Sequence, residues 1–220
     1  MRSIEAVIFD LDGVITDTAE YHYLAWKQLA EELGVSFDRE TNESLKGIGR
    51  MESLELILQK GNIQMSQEKK EELATKKNDH YKTFIQKISP DDLLPGILSF
   101  LQELKREGIK TGLASASKNA HTVIEQLEVG SYLDTIVDAA TVKQGKPNPE
   151  VFLRAAEQLG VNADNCVGVE DAEAGVQAIK SANMYAVGVG SATSLHQADW
   201  IIDTTEKLTL TELRKHALKD

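Results

Sequence analysis

The stretch IEAVIFDLDGVITDT, residues 4–18, limits what this chain can fold into more than any other. Its apolar run, Ala6 through Phe9, is short and β-favouring, and it gives way to Asp10, Leu11, Asp12 and Gly13. A strand buried on both faces of a parallel sheet reads as such an unbroken run, and glycine is a natural place for it to end. Two carboxylates so close at a strand end repel each other and lose hydration. A hard divalent cation, which prefers oxygen ligands, offsets that cost. A carboxylate in this position can also accept a phosphoryl group and become an aspartyl phosphate. Taken alone, the motif is equally a solvated turn, because Asp and Gly are ordinary loop residues.

The length of 220 residues suits one domain, or a domain with an insertion, and can bury a sizeable core. A net charge of -11 argues against a nucleic-acid partner, which would want a basic face. The single cysteine, Cys166, excludes an intrachain disulfide and a cysteine-rich zinc site, and its apolar-rich surroundings read as inert burial. No apolar run is long enough to span a membrane, and the chain enters its first strand almost at once, so a soluble cytoplasmic protein is the expectation.

From the first strand to about residue 90 the pattern is helical. Asp17 and Glu20 have capping-box spacing, Gly34 is a stop signal, and Trp26, Leu29 and Leu33 form a stripe between them. His22 lies one turn before Trp26 on that stripe, where a core histidine with a local partner is the plain alternative to a functional one. The loop LKGIGR, residues 45–50, has two glycines and two cations and can clasp an anion or simply be solvated. A second helix is expected over 51–60. A third, over 66–88, has Leu73, Tyr81, Phe84 and Ile88 along one face with Lys77 among them. A lysine there either snorkels outward or is aimed at something, and the flanking positions of KKND favour aim.

The second half alternates helices and strands. Helices are expected around Leu98, Leu101 and Leu104, around Val123–Leu127, after Asn148 and Pro149, over 174–182 and over 210–218. Strands are expected over 109–114, 135–138, 165–169, 186–189 and 200–202. Such alternation implies right-handed crossovers and a parallel sheet covered on both faces, with ligands bound at the carboxyl ends of the strands. Asp10 and Asp12 end one strand, Ser115 another, and Glu170 and Asp171 a third, while Lys146 precedes a helix start. On one rim these groups have the composition of a Mg²⁺ and phosphate site: the metal offsets carboxylate repulsion, the hydroxyl donates to a phosphoryl oxygen, and the lysine neutralises charge. A helix-capping serine and a solvated lysine are the bland alternatives.

DLDGVITDT, LASAS, GKP and GVEDAEAG, in that order, resemble the four motifs of the haloacid dehalogenase-like phosphotransferases. The resemblance covers nearly the whole chain, and TAEYH, LKGIGR, KKND and SASKN extend it to the sugar-phosphate mutases of that superfamily. It implies an α/β fold with a Rossmann-like parallel sheet core, residues 1–16 and 90–220, and an inserted helical cap, residues 17–89. It implies that Asp10 is the phosphorylated nucleophile and Asp12 the general acid and base. Mg²⁺ would be held by Asp10, the Asp12 carbonyl and Asp171, with Glu170 as a ligand or just behind. Ser115 and Lys146 would bind the transferring phosphoryl group. Arg50 would clamp the other phosphate beside Gly47 and Ile48, with Ala116, Ser117, Lys118 and Asn119 on the core side. His22 and Lys77 would couple cap closure to Asp12, and Thr18 would lie at the hinge. The implied reaction converts β-glucose 1-phosphate to glucose 6-phosphate through an aspartyl phosphate and a bisphosphate. Small-molecule sugar phosphates would be the substrates of a monomer that meets neither nucleic acid nor membrane. A phosphatase of the same fold is the nearer alternative, and a non-catalytic phospho-aspartate receiver the more distant one.

Overall fold

The computed structural model describes residues 3–218, so positions 1–2 and 219–220 of the expected core lie outside the described residues. The first strand, β1 (Ala6–Phe9), is followed by the helices α1 (Ala19–Glu32), α2 (Arg39–Glu43), α3 (Arg50–Lys60) and α4 (Gln67–Ile85). The alternating part then runs α5 (Ile97–Arg106), β2 (Lys110–Leu113), α6 (Ala120–Gln126), β3 (Thr135–Ile136), α7 (Glu150–Leu159), β4 (Cys166–Glu170), α8 (Glu173–Ser181), β5 (Tyr185–Val189), β6 (Trp200–Ile202) and α9 (Leu210–Ala217).

All strand pairs are parallel, in the order β3-β2-β1-β4-β5-β6. β1 is central, and its residues are buried on both faces, as an unbroken apolar run requires. The strand's two-residue period divides the core. Val7 and Phe9 join a cluster with Phe100, Leu104, Val123 and Leu213, whereas Ala6 and Ile8 join Phe152, Ala155, Val176 and Ile179 on the opposite face. Strand order reverses direction at β1, between β2 and β4, so the carboxyl ends of these strands frame the crevice where such sheets bind ligands.

The helices α1, α3 and α4 have a cluster of their own, with Trp26, Leu29, Leu54, Ile57, Leu58 and Ala74 buried in it. Tyr81 and Ile85 of α4 instead pack into the main core beside Phe9, tying the end of that helix to the sheet.

Several local expectations are corrected. The Asp17–Glu20 capping box does not form. Thr18 is the N-cap of α1 but makes no side-chain bond to the helix, the Asp17 carboxylate accepts from Ala19 N at 2.9 Å, and Glu20 is drawn to Arg39 at 2.7 Å. A guanidinium offers Glu20 a charge-assisted partner that a lone backbone N–H cannot match. The helix expected around Leu98, Leu101 and Leu104 is α5, whose inward positions are Ile97, Phe100, Leu101 and Leu104, while Leu98 is 40% exposed. The strand expected over 135–138 is only Thr135–Ile136. The short α2 went unread because five polar residues carry no apolar period.

Candidate active site

The rim is assembled by strand ends. Asp10 follows β1, Ser115 lies two residues beyond β2, and Glu170 ends β4 with Asp171 next. Lys146 arrives from the loop before α7, and its Nζ sits 2.6 Å from both Asp10 Oδ1 and Glu170 Oε1. All three groups are buried. Burial works to lower the Lys146 ammonium's pKa, but the charges of Asp10 and Glu170 outweigh it and hold the pKa above its ordinary value. Glu170 is pushed up by burial and by Asp10, with Lys146 opposing. Its second oxygen accepts from Ala172 N at 2.8 Å, so both of its oxygens are engaged.

Asp10, Glu170 and Asp171 each offer a carboxylate oxygen, and these atoms lie within 4.8 Å of one another. Asp171 is pushed well above its ordinary value by burial and then by Glu170 and Asp10, the mark of a carboxylate cluster short of positive charge. Two glycines make room for it. A Cβ on Gly13, which has φ +74°, would lie 2.3 Å from Asp171 Oδ2, and one on Gly175 would lie 1.8 Å from Glu170 Oε1. Bare backbone therefore cradles the acidic cluster from both sides. An all-oxygen donor set in such a cradle fits a hard divalent cation.

Asp12 is half-buried and stands apart from this cluster. Its pKa is raised to about 7 by burial first and Asp10 second. The Thr18 hydroxyl donates to Asp12 Oδ1, and Tyr81 donates to Thr18 at 3.2 Å, so α4 reaches Asp12 through one intervening hydroxyl. His22 Nε2 lies 3.9 Å from Asp12 Oδ2, and His22 Nδ1 lies 2.8 Å from Lys77 Nζ. Lys77 is buried against the Trp26 and Tyr81 rings, 4.6 and 4.9 Å from their centres. Burial and then the charge of Arg50 bring its pKa down to about 7. Burial, then Lys77 and Arg50, hold His22 well below its ordinary value. Arg50 is itself lowered by burial.

One cavity of about 680 Å³ unites the two sides. Asp10, Asp12, Ser115, Lys146 and Asp171 line it from the sheet, and His22, Gly47, Ile48, Arg50 and Lys77 line it from the helices. Ala116, Ser117, Lys118 and Asn119 complete the core wall. Thr18 and Glu170 are buried behind the lining and reach it through Asp12 and Lys146. Every residue singled out from the sequence is thus in the lining or in contact with it.

Other residues were not singled out. Lys46 pairs with Glu43 at 3.0 Å; against burial, which works to lower it, Glu43 and the charge of Asp171 raise its pKa. Glu150 accepts from Lys143 N and Gln144 N at 2.9–3.1 Å, which with Arg154 holds its carboxyl down to about 2 and anchors the loop that delivers Lys146. Asn78 is buried on α4 and bonded to Asn119 at 2.8 Å. The sequence signal for Asn78 was its place beside Lys77. For Lys46 it was its place in LKGIGR, and for Glu150 its place just past GKP.

A parallel sheet whose strand ends carry an acidic cluster, with a buried lysine brought in between the carboxylates from a neighbouring loop, has the make-up of a phosphotransfer scaffold. Residues 4–183 match the family model of the haloacid dehalogenase-like hydrolases, and the chain belongs to that family. It is 51% identical to the β-phosphoglucomutase of Bacillus subtilis (strain 168) over 94% of this chain and 92% of that protein. The crystal structure of a β-phosphoglucomutase from Clostridium difficile superposes with a TM-score of 0.96 at 49% identity, covering 98% of this chain and 97% of that one. A phosphorylated carbohydrates phosphatase of Thermotoga maritima is 30% identical over 82% of each chain.

Proposed function

We infer that this chain is an enzyme that interconverts β-glucose 1-phosphate and glucose 6-phosphate, the β-phosphoglucomutase reaction. The observation that carries the reading is the two-sided cavity. Ser115 and Lys146 offer phosphate-binding groups on the sheet side, and Arg50 offers another on the helix side of the same space. A phosphatase needs to hold only the phosphate it removes. A mutase must hold both ends of a bisphosphate, and binding energy at the far end aligns the reacting one. The identity to β-phosphoglucomutases over nearly the whole chain supports the same choice.

In this mechanism Asp10, when phosphorylated, passes its phosphoryl group to the 6-hydroxyl of β-glucose 1-phosphate while Asp12 takes the hydroxyl proton. The β-glucose 1,6-bisphosphate turns over in the site. Asp10 attacks the phosphorus of the 1-phosphate, the C1–O side departs, and Asp12 returns the proton to give glucose 6-phosphate. A carboxyl poised near 7 suits a group that must take and return a proton at neutral pH. Lys146 and the Ser115 hydroxyl neutralise and hold the transferring group, and alignment supplies most of the rest. Asp10, the Asp12 carbonyl and Asp171 would hold Mg²⁺, which supplies charge neutralisation at the phosphoryl oxygens. Glu170, with both oxygens engaged, orients Lys146 and the turn into α8. Arg50, with Gly47 and Ile48 beside the sugar, holds the non-transferring phosphate, and Ala116, Ser117, Lys118 and Asn119 meet it from the core. Residues 17–89 act as a cap hinged near Thr18, whose closure excludes water from the aspartyl phosphate, with His22 and Lys77 linking closure to Asp12. The protein acts as a cytoplasmic monomer on small sugar phosphates. Among the described residues, no helix is long and apolar enough to cross a membrane.

The test is incubation with β-glucose 1-phosphate, a trace of the bisphosphate and Mg²⁺. Glucose 6-phosphate is the expected product. Accumulation of free phosphate instead makes the protein a sugar-phosphate phosphatase, and a stable phospho-aspartate without turnover makes it a receiver.

A further inference from the structure

Lys77 and Asn78 are consecutive buried polar residues on α4, one turning toward His22 and the other toward the sheet. Asn78 Oδ1 accepts a hydrogen bond from Asn119 Nδ2 at 2.8 Å, across 41 positions of sequence. Asn119 is the N-cap of α6 and closes a loop braced from within. Ser117 N donates to Ser115 Oγ at 3.1 Å, and Asn119 N donates to Ser117 Oγ at 3.2 Å. A continuous series of hydrogen bonds therefore runs from Ser115, on the catalytic rim, through the loop 115–119 to a side chain of the inserted helices. Both asparagines line the cavity.

We propose that Asn78 is a positioning residue that sets the amide of Asn119 for phosphate only when α4 lies against the core. The inference rests on the reading of Asn119 as a phosphate-holding side chain given above. An asparagine amide has two N–H donors. With one committed to Asn78, the other is fixed in direction and free for a phosphate oxygen. When the helices swing away, both amides return to water and Asn119 regains its rotamers. Phosphate held by Asn119 and the closed position of α4 then favour each other by the same factor, as linkage requires. Arg50 grips a phosphate from the helix side. Asn78 instead reports to the core loop that the helices have arrived, without touching the ligand.

The experiment is a double-mutant cycle on the full chain with Asn78→Ala, Asn119→Ala and the pair, reading KM and kcat for β-glucose 1-phosphate with Mg²⁺ and trace bisphosphate. Asn78→Ala leaves a buried donor unpaired and should raise KM about tenfold, within the usual range for such a loss. The double variant should match Asn119→Ala within about twofold, because Asn78 acts through Asn119. Asn78→Ser, which keeps a small polar group, serves as the second variant if the alanine protein unfolds. An unchanged KM, or losses that multiply in the double variant, overturns the proposal. If the unmodified protein forms no glucose 6-phosphate, the proposed function has failed. The same cycle is then read as the affinity for inorganic phosphate by calorimetry, where coupling between the two sites upholds the inference and independent effects overturn it.

Discussion

Two lysines are buried almost equally in this molecule, Lys146 at 2% exposure and Lys77 at 3%, and their surroundings push them in opposite directions. Lys146, on the sheet side, lies between two carboxylates, and its pKa rises above the ordinary value in spite of burial. Lys77, on the helix side, has a neutral imidazole and two aromatic faces for company, with Arg50 as a repelling neighbour, and its pKa falls to about 7. The sheet side is an electrostatic unit whose cation already has its anions. On the helix side Arg50 and Lys77 face the same cavity, and burial lowers the pKa of each. In the proposed function, a phosphorylated sugar brings negative charge to this side. The first region carries one cation of its own, Lys146, beside an acidic cluster that can take a second.

The largest expected effect breaks the sheet side. Lys146→Met leaves Asp10 and Glu170 buried without their shared cation, and removing one partner of a buried pair costs about 3–5 kcal/mol of stability. Urea unfolding at neutral pH measures this directly. Turnover should fall by about 10²–10³-fold or more, since a preorganised donor to the transferring group is gone. A variant as stable as the unmodified protein would show that the three groups are not a closed unit.

Arg50→Ala should separate the two regions. Mutase turnover is expected to drop by about 10²-fold, in line with losing a charged partner to a phosphate, and Arg50→Lys should recover only part of it because the two-pronged grip is lost. Hydrolysis of acetyl phosphate, which has a single phosphate, should stay within about twofold because the sheet side is untouched. Equal losses in both activities would mean that Arg50 supports the rim itself.

A third prediction sharpens the contrast through pH. Burial brings the Lys77 pKa down to about 7 in the folded chain, whereas the unfolded chain keeps the proton until near the ordinary lysine value of 10.5. Between those values the unfolded state binds more protons, so this group makes stability rise with pH, on the order of 1 kcal/mol per pH unit. Below about 7 the lysine is protonated in both states and its burial penalty is fully present. Lys77→Met should remove that slope, and the difference between the two proteins' urea midpoints across pH 7–10 reads it. Identical slopes would show that Lys77 is not held as a strained cation.

Much of this arrangement could be read before any fold was known. The unbroken apolar run before Asp10 announced a buried parallel strand. The spacing of Asp10 and Asp12, the Glu170–Asp171 pair and Ser115 at a strand end announced a shared rim, because strand ends in one parallel sheet fall on one edge. Lys77 and His22 were legible as polar residues on apolar stripes. Local chemistry was less legible: Thr18 turns its hydroxyl to Asp12 instead of to its own helix, and Glu20 leaves its expected capping role for Arg39.

Sequence alone determined the order of the elements other than α2, the buried first strand, the glycines beside the carboxylates and the residue types available to the site. Only the tertiary structure decided that Asn78 meets Asn119, that the charge of Asp171 reaches Lys46, that Glu150 anchors the loop carrying Lys146, and that one buried lysine is held charged while the pKa of the other is brought down to about 7. The reason is physical. Periodicity and turn chemistry act over a few residues and are written in the order of the chain. Burial, and the partner that a buried polar group finds, depend on distances between segments tens of residues apart, which exist only once the helices have packed against the sheet.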